Sequence, residues 1–98
     1  MQRMDISRKF ITKATEVRTR EMDGKSVLLD LDSGNYFTLN EMGNFVWSMI
    51  DGRGNAQRII EAVTERYRVE AGRASDDVID LIRRLEQEGL IRLHDDPQ

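Results

Sequence analysis

The apolar pattern of this chain changes period once, at Leu39–Asn40, and that change limits what each half can become. Before it, apolar and β-branched residues alternate with polar ones; after it, apolar residues recur at intervals of three and four. A period of two builds half-buried strands, and a period near 3.6 builds amphipathic helices. The predicted architecture is α+β and winged-helix-like: a three-stranded antiparallel sheet followed by three helices, in the order β-β-β-α-α-α. At 98 residues, with 39% of them apolar, the chain has material for one core and not for two.

The first strand is read over Lys13–Glu21, with Thr15, Val17 and Thr19 on one side and Glu16, Arg18 and Arg20 on the other. Asp23-Gly24 is a hairpin signal, since both residues tolerate a positive φ. Ser26–Asp32 forms the second strand, Asp32–Asn35 the next turn and Tyr36–Leu39 a short third strand. Asn40 is placed to cap a first helix whose stripe is Met42, Phe45, Val46, Met49 and Ile50, with Gly52 stopping it. Asn55 caps a second, faced by Ile59, Ile60, Val63 and Tyr67. Glu70–Ala74 reads as a loop and Ser75 as the cap of a third helix, with Asp76 and Asp77 in its first turn. Val78, Leu81, Ile82 and Leu85 form its stripe, and Gly89 ends it. Leu90, Ile91 and Leu93 return to the core or form a last short strand. The expected organisation is a weakly ordered arm over 1–12, with Phe10 and Ile11 docking on the rest, a single domain over 13–93 and a tail over 94–98.

Composition removes most chemistry. There is no Cys, so disulfides, thiolate metal sites and thiol nucleophiles are excluded. His94 is the single histidine and lies near the end of the chain, which argues against a triad or a histidine metal centre. Asp30 and Asp32 beside a Ser-Gly-Asn turn read as turn formers rather than a metal pair, and the glycines have no phosphate-loop spacing. Trp47, Met42 and Met49 read as packing residues. The reading is a protein without catalytic residues, metal or cofactor. No apolar run approaches the roughly 20 residues that span a bilayer, and the basic N-terminus is not followed by a signal-peptide block. A cytoplasmic protein without a membrane partner is expected. Charge is uneven: residues 1–20 carry six basic and two acidic groups, residues 21–52 one and six, and residues 53–98 eight and ten. The basic N-terminal stretch reads as a solvated first strand or as a phosphate-seeking arm.

What remains is binding. If neighbouring strands pair, the third strand is an edge, and Asn35-Tyr36-Phe37-Thr38-Leu39 carries none of the charges or prolines that usually blunt one. Either the protein covers that edge itself or a partner peptide adds a strand there. On the third helix, Ile79, Arg83 and Glu86 occupy one flank of the stripe and Asp77, Arg84 and Glu88 the other. A groove between strand and helix would use one flank, with Arg83 or Arg84 holding a partner carboxylate. The alternative is a winged-helix DNA-binding regulator. Against it, Asp76, Asp77 and Asp80 at the start of the would-be recognition helix oppose phosphate contacts, so no nucleic-acid partner is expected.

The stretch from Val27 through Asp30-Leu-Asp-Ser-Gly-Asn-Tyr-Phe-Thr-Leu-Asn-Glu-Met-Gly43 resembles the PqqD-like family. So do Val46-Trp47, Ile50-Asp51-Gly52, Ile59-Ile60 to Tyr67, and Val78 to Gly89-Leu90-Ile91. Its founding members serve pyrroloquinoline quinone biosynthesis. Relatives act as recognition elements for other ribosomally made, post-translationally modified peptides, lasso peptides among them. The resemblance implies a non-enzymatic peptide chaperone of the same fold, binding the leader of a precursor peptide by strand addition and presenting it to a modifying enzyme. That enzyme is a radical S-adenosylmethionine protein in the quinone pathway and a leader peptidase in lasso systems. Carried over, the pairing strand is Asn35, Tyr36, Phe37, Thr38 and Leu39, and the helix wall is Ile79, Ile82, Arg83 and Glu86. Where quinone-pathway members tend to have Cys-Asp-Gly and Gly-Trp, this chain has Ile50-Asp51-Gly52 and Gly89-Leu90, closer to members outside that pathway.

Overall fold

The computed structural model describes residues 5–98. After a 3-10 turn over Ile6–Arg8, the chain runs β1 (Phe10–Lys13), β2 (Val17–Met22), β3 (Lys25–Asp30), β4 (Tyr36–Leu39), α1 (Glu41–Ser48), α2 (Ala56–Tyr67), α3 (Ala71–Gln87) and β5 (Ile91–His94). β2, β3 and β4 form the expected meander, antiparallel throughout, with β3 in the centre. The β2–β3 hairpin turns through Asp23 (φ 54°) and Gly24 (φ 79°), two consecutive left-handed residues. That geometry matches the right-handed twist of the strands it joins.

Register sorts the sheet into two faces. Thr19, Leu28 and Phe37 share one row on the helix side, and Glu21, Ser26 and Leu39 the next. Leu28 and Leu39 are fully buried there. Ser26 is the one buried polar residue among those described, and its hydroxyl donates to Oδ1 of Asn44, joining β3 to α1. α1 starts where Asn40 Oδ1 accepts the N–H of Gly43 at 2.8 Å, and α2 where Asn55 Oδ1 accepts the N–H of Arg58 at 3.2 Å. Each cap satisfies one of the orphan donors of its first turn. The helices close over the sheet through Val46, Ile59, Val63, Val78, Ile82 and Leu85. Trp47 is buried, its indole N–H donating to Thr19 Oγ1 at 3.1 Å and the Lys13 ammonium lying 4.8 Å from its ring.

Three sequence expectations are corrected. The first strand does not run over Lys13–Glu21: the chain turns at Thr15-Glu16, and two separate strands flank the turn. The stretch expected as a weakly ordered arm holds β1, which pairs antiparallel with β5 (Phe10 with His94, Ile11 with Leu93, Lys13 with Ile91). Residues 1–4 of that expected arm lie outside the described residues. Ile11 is buried, and a partner about 80 residues away along the chain satisfies a backbone that shows no local pattern. Finally, Glu70–Ala74 is not a loop. α2 ends at Arg68, which takes the left-handed conformation (φ 51°), and α3 begins at Ala71 with Glu70 as its N-cap. Ser75, Asp76 and Asp77 therefore lie inside α3, and buried Ala74 holds the earlier turn against the core. The far end follows expectation. Gly89 (φ 72°) donates to Glu86 C=O and Leu90 to Leu85 C=O, both at 2.9 Å, a Schellman stop that sends Leu90 inward.

Candidate functional site

β4 has β3 on one side and, among the described residues, no strand on the other. The main-chain N–H of Asp30 donates to the C=O of Asn35 at 2.9 Å, so Asn35 points its carbonyl at β3. Main-chain groups alternate sides along an antiparallel strand. Phe37 and Leu39 therefore face β3, and the N–H and C=O groups of Tyr36 and Thr38 face outward. The turn before β4 is set by Asp30, whose carboxylate accepts the N–H of Asp32 at 3.0 Å and the hydroxyl of Ser33 at 2.9 Å. Both Asp30 oxygens act within the turn, as the turn-forming reading requires.

A cleft of about 600 Å³ runs along this open edge, between β4 and α3. Phe37, Leu39, Met42 and Leu81 supply its apolar surface, and Gly43 lets α1 approach: its Cα lies where an added methyl would stand 3.1 Å from Leu39 Cδ2. The polar wall comes from α3 as Asp77, Asp80 and Arg84, positions three and four apart on one face, with Lys25 across from them. Arg84 pairs with Asp80 at 3.3 Å and lies 5.8 Å from the Phe37 ring, which holds the guanidinium at the cleft wall. Asp77 has no ion-pair partner among the described residues.

Of the expected pairing-strand residues, Phe37, Thr38 and Leu39 line the cleft, whereas Asn35 and Tyr36 share the β4 edge but lie outside its lining. The expected helix wall does not line the cleft. Ile82 is fully buried in the core, Ile79 is half-buried against it, and Arg83 and Glu86 are exposed on the flank away from the cleft lining. α3 is rolled so that its other flank, Asp77–Asp80–Arg84, meets β4. Sequence periodicity locates the apolar stripe but treats its two flanks alike, and only the packing against α2 and β5 selects between them. The missed residues Lys25, Met42 and Leu81 carried no signal of their own beyond strand, stripe and core patterning.

Residues 25–91, more than half of the chain, match the family model described as coenzyme PQQ synthesis protein D (PqqD). Among solved structures, the chain is similar to one described as TbiB1 in complex with the TbiA(beta) leader peptide. The two share 27% identity and a TM-score of 0.76, covering 83% of this chain and 94% of the other. A second, described as lasso peptide synthetase B1 complexed with the leader peptide, gives 28% identity and a TM-score of 0.71, over 84% and 96% of the two chains. No curated protein matches the chain.

Proposed function

The chain belongs to the PqqD family, and from that premise we propose that it is a non-catalytic adaptor. It captures the leader segment of a ribosomally made precursor peptide on the open edge of β4 and presents the rest of that peptide to a modifying enzyme. The observation that carries this reading is the pair of outward-facing main-chain positions, Tyr36 and Thr38, on an edge whose Thr38 end opens onto a cleft with an apolar floor and a charged wall. Two similar proteins are complexes with leader peptides, which supports the same class of ligand here. The added strand bonds to Tyr36 and Thr38 through its main chain. Its alternate side chains enter the cleft over Leu39, Met42 and Leu81, between Asp77, Arg84 and Lys25. Asp77 favours a basic leader side chain, and the paired Arg84 is held back from acidic ones by Asp80.

Capture raises the effective concentration of the core peptide at the enzyme, which is the whole of the adaptor's contribution. His94 lies outside the cleft lining and is engaged with Thr12 across β1–β5 (Oγ1 to Nε2, 2.7 Å). Of the two enzyme types, a leader peptidase fits the likeness to lasso synthetase proteins better than a radical S-adenosylmethionine protein. The encounter takes place in the cytoplasm, where precursor peptides are made; among the described residues no helix is long and apolar enough to cross a membrane. The working unit extends beyond 13–93 to include β1, since Ile11 belongs to the core.

Thr38→Pro removes an outward N–H while leaving the β3 ladder intact. With circular dichroism unchanged, a labelled leader from the neighbouring precursor gene should bind at least tenfold more weakly, one main-chain bond being worth about 1 kcal/mol and the proline ring obstructing the added strand besides. If that variant unfolds, Asp77→Lys serves as the second, with a shift of preference from basic to acidic leader side chains. Unchanged leader affinity in folded Thr38→Pro overturns the assignment of the edge, and tight salt-sensitive binding to its own promoter DNA would replace it with a regulator.

A further inference from the structure

The cleft uses one edge and the helix side of the sheet, and leaves the opposite face bare. On that face register builds three rows: Arg18–Leu29–Tyr36, Arg20–Val27–Thr38 and, at the hairpin end, Met22–Lys25. Met22, Val27 and Tyr36 are 65%, 39% and 76% exposed, three of the four exposed large apolar side chains among the described residues. Isolated exposed apolar residues are ordinary, but a row-by-row grouping on one flat face is not. Two hollows of about 460 and 440 Å³ flank Val27, one toward Met22 and Lys25, the other toward Leu29 and Tyr36.

The strand positions on this face carry positive charge only, and Asp23 of the β2–β3 turn lines the hollow at their hairpin end. None of the outward positions of the three strands is acidic; Glu16 and Asp23 lie in the turns at either end of β2. Among the described residues Arg18, Arg20 and Lys25 have no carboxylate within ion-pair distance. The surplus of positive charge in the first 20 residues thus reaches this face through Arg18 and Arg20, in a chain that is acidic overall.

We propose that the bare face of the sheet is the docking surface for the modifying enzyme, and that it takes an apolar patch of that enzyme rimmed by carboxylates. Naming the enzyme as occupant rests on the adaptor reading above; the chemistry of the surface does not. An adaptor must hold two macromolecules at once, so its second surface cannot overlap the first. This face meets that condition at Arg18, Arg20, Met22, Val27 and Tyr36, none of which lines the cleft, while Lys25 and Thr38 border both surfaces. It also lies next to the captured strand, because Tyr36 and Thr38 give their main chains to the edge and their side chains to the face. A second copy of the chain is a poor occupant, since a face-to-face dimer sets Arg18, Arg20 and Lys25 against their equivalents. Nucleic acid would leave Met22, Val27, Leu29 and Tyr36 without apolar partners.

The test is two titrations on the same samples. Wild type and Arg18→Glu/Arg20→Glu are each titrated with the modifying enzyme encoded beside the gene and, separately, with a labelled leader peptide. Both arginines are exposed on a strand away from β4, and circular dichroism checks the fold. The expected result is at least a tenfold loss of enzyme affinity, leader affinity unchanged within twofold, and wild-type enzyme binding that weakens as salt rises. Val27→Asp should reproduce the loss without reversing a cation. Equal enzyme affinity in wild type and both variants, or no enzyme binding by wild type, overturns the proposal. So does a wild-type dimer in sedimentation, or duplex DNA binding, that the double variant loses. Failure of the leader to bind wild type would instead sink the adaptor reading, while an enzyme affinity that depends on Arg18 and Arg20 would leave this face assigned.

Discussion

Individual side chains set both the boundaries of this fold and the character of its cleft. Asn40, Asn55 and Gly89 act where the sequence places them, because capping is chemistry between residues two to five apart and needs no tertiary information. Asp51 is a fourth such residue, one whose role the spacing did not reveal. Its Oδ1 accepts the N–H groups of Arg53 at 2.9 Å and Gly54 at 3.2 Å, and these bonds, ahead of the nearby Arg58 and Arg53 charges, hold its carboxyl below the ordinary 3.8. A carboxyl depressed in the folded state contributes stability that is fully present above its unfolded pKa and is lost as pH falls through the folded value. Wild type should therefore be more stable than Asp51→Ala at pH 7, and the gap should close as pH falls below about 4. Thermal melts of the two proteins from pH 7 down to pH 2 measure this; a gap that stays constant or widens on acidification contradicts the account.

At the scale of elements, the strands of the meander and the two ends of α3 show what a sequence can and cannot disclose. The β2–β3 hairpin was legible because Asp23-Gly24 specifies its own turn. The start of α3 was misread because Ser75 followed by two aspartates imitates a helix N-terminus. The true start lies at Ala71, and the burial of Ala74 decides it. Ser75 is accordingly an interior helical residue. Ser75→Ala should change stability by no more than about 0.5 kcal/mol, and in the favourable direction, because alanine is the better helix former. A true N-cap would lose about 1 kcal/mol on the same change. Urea denaturation at 25 °C separates the two. The same element explains why the candidate site was only half legible. The strand side, Asn35–Leu39, follows from local sequence, whereas the choice between the Ile79–Arg83–Glu86 and Asp77–Asp80–Arg84 flanks depends on how α3 rolls against α2 and β5.

Across the whole molecule, β1 and β5 close on each other and leave the β4 edge of the sheet free. β1 and β5 pair, Lys9 bonds Asp95, and the Ala14 N–H donates to Leu90 C=O at 2.9 Å. No local pattern announces such a pairing, because each strand has four residues and its partner is nearly the full chain away. The consequence is functional: β1 and β5 satisfy one another in their own two-stranded sheet, and among the described residues neither pairs with β4. Amide hydrogen exchange, read residue by residue with and without leader peptide, tests this directly. Without leader, the Tyr36 and Thr38 amides should exchange rapidly while Phe37 and Leu39, bonded to β3, exchange slowly. With saturating leader, Tyr36 and Thr38 should slow at least tenfold. A leader that binds tightly yet leaves both amides exchanging at their free rates would contradict strand addition at β4.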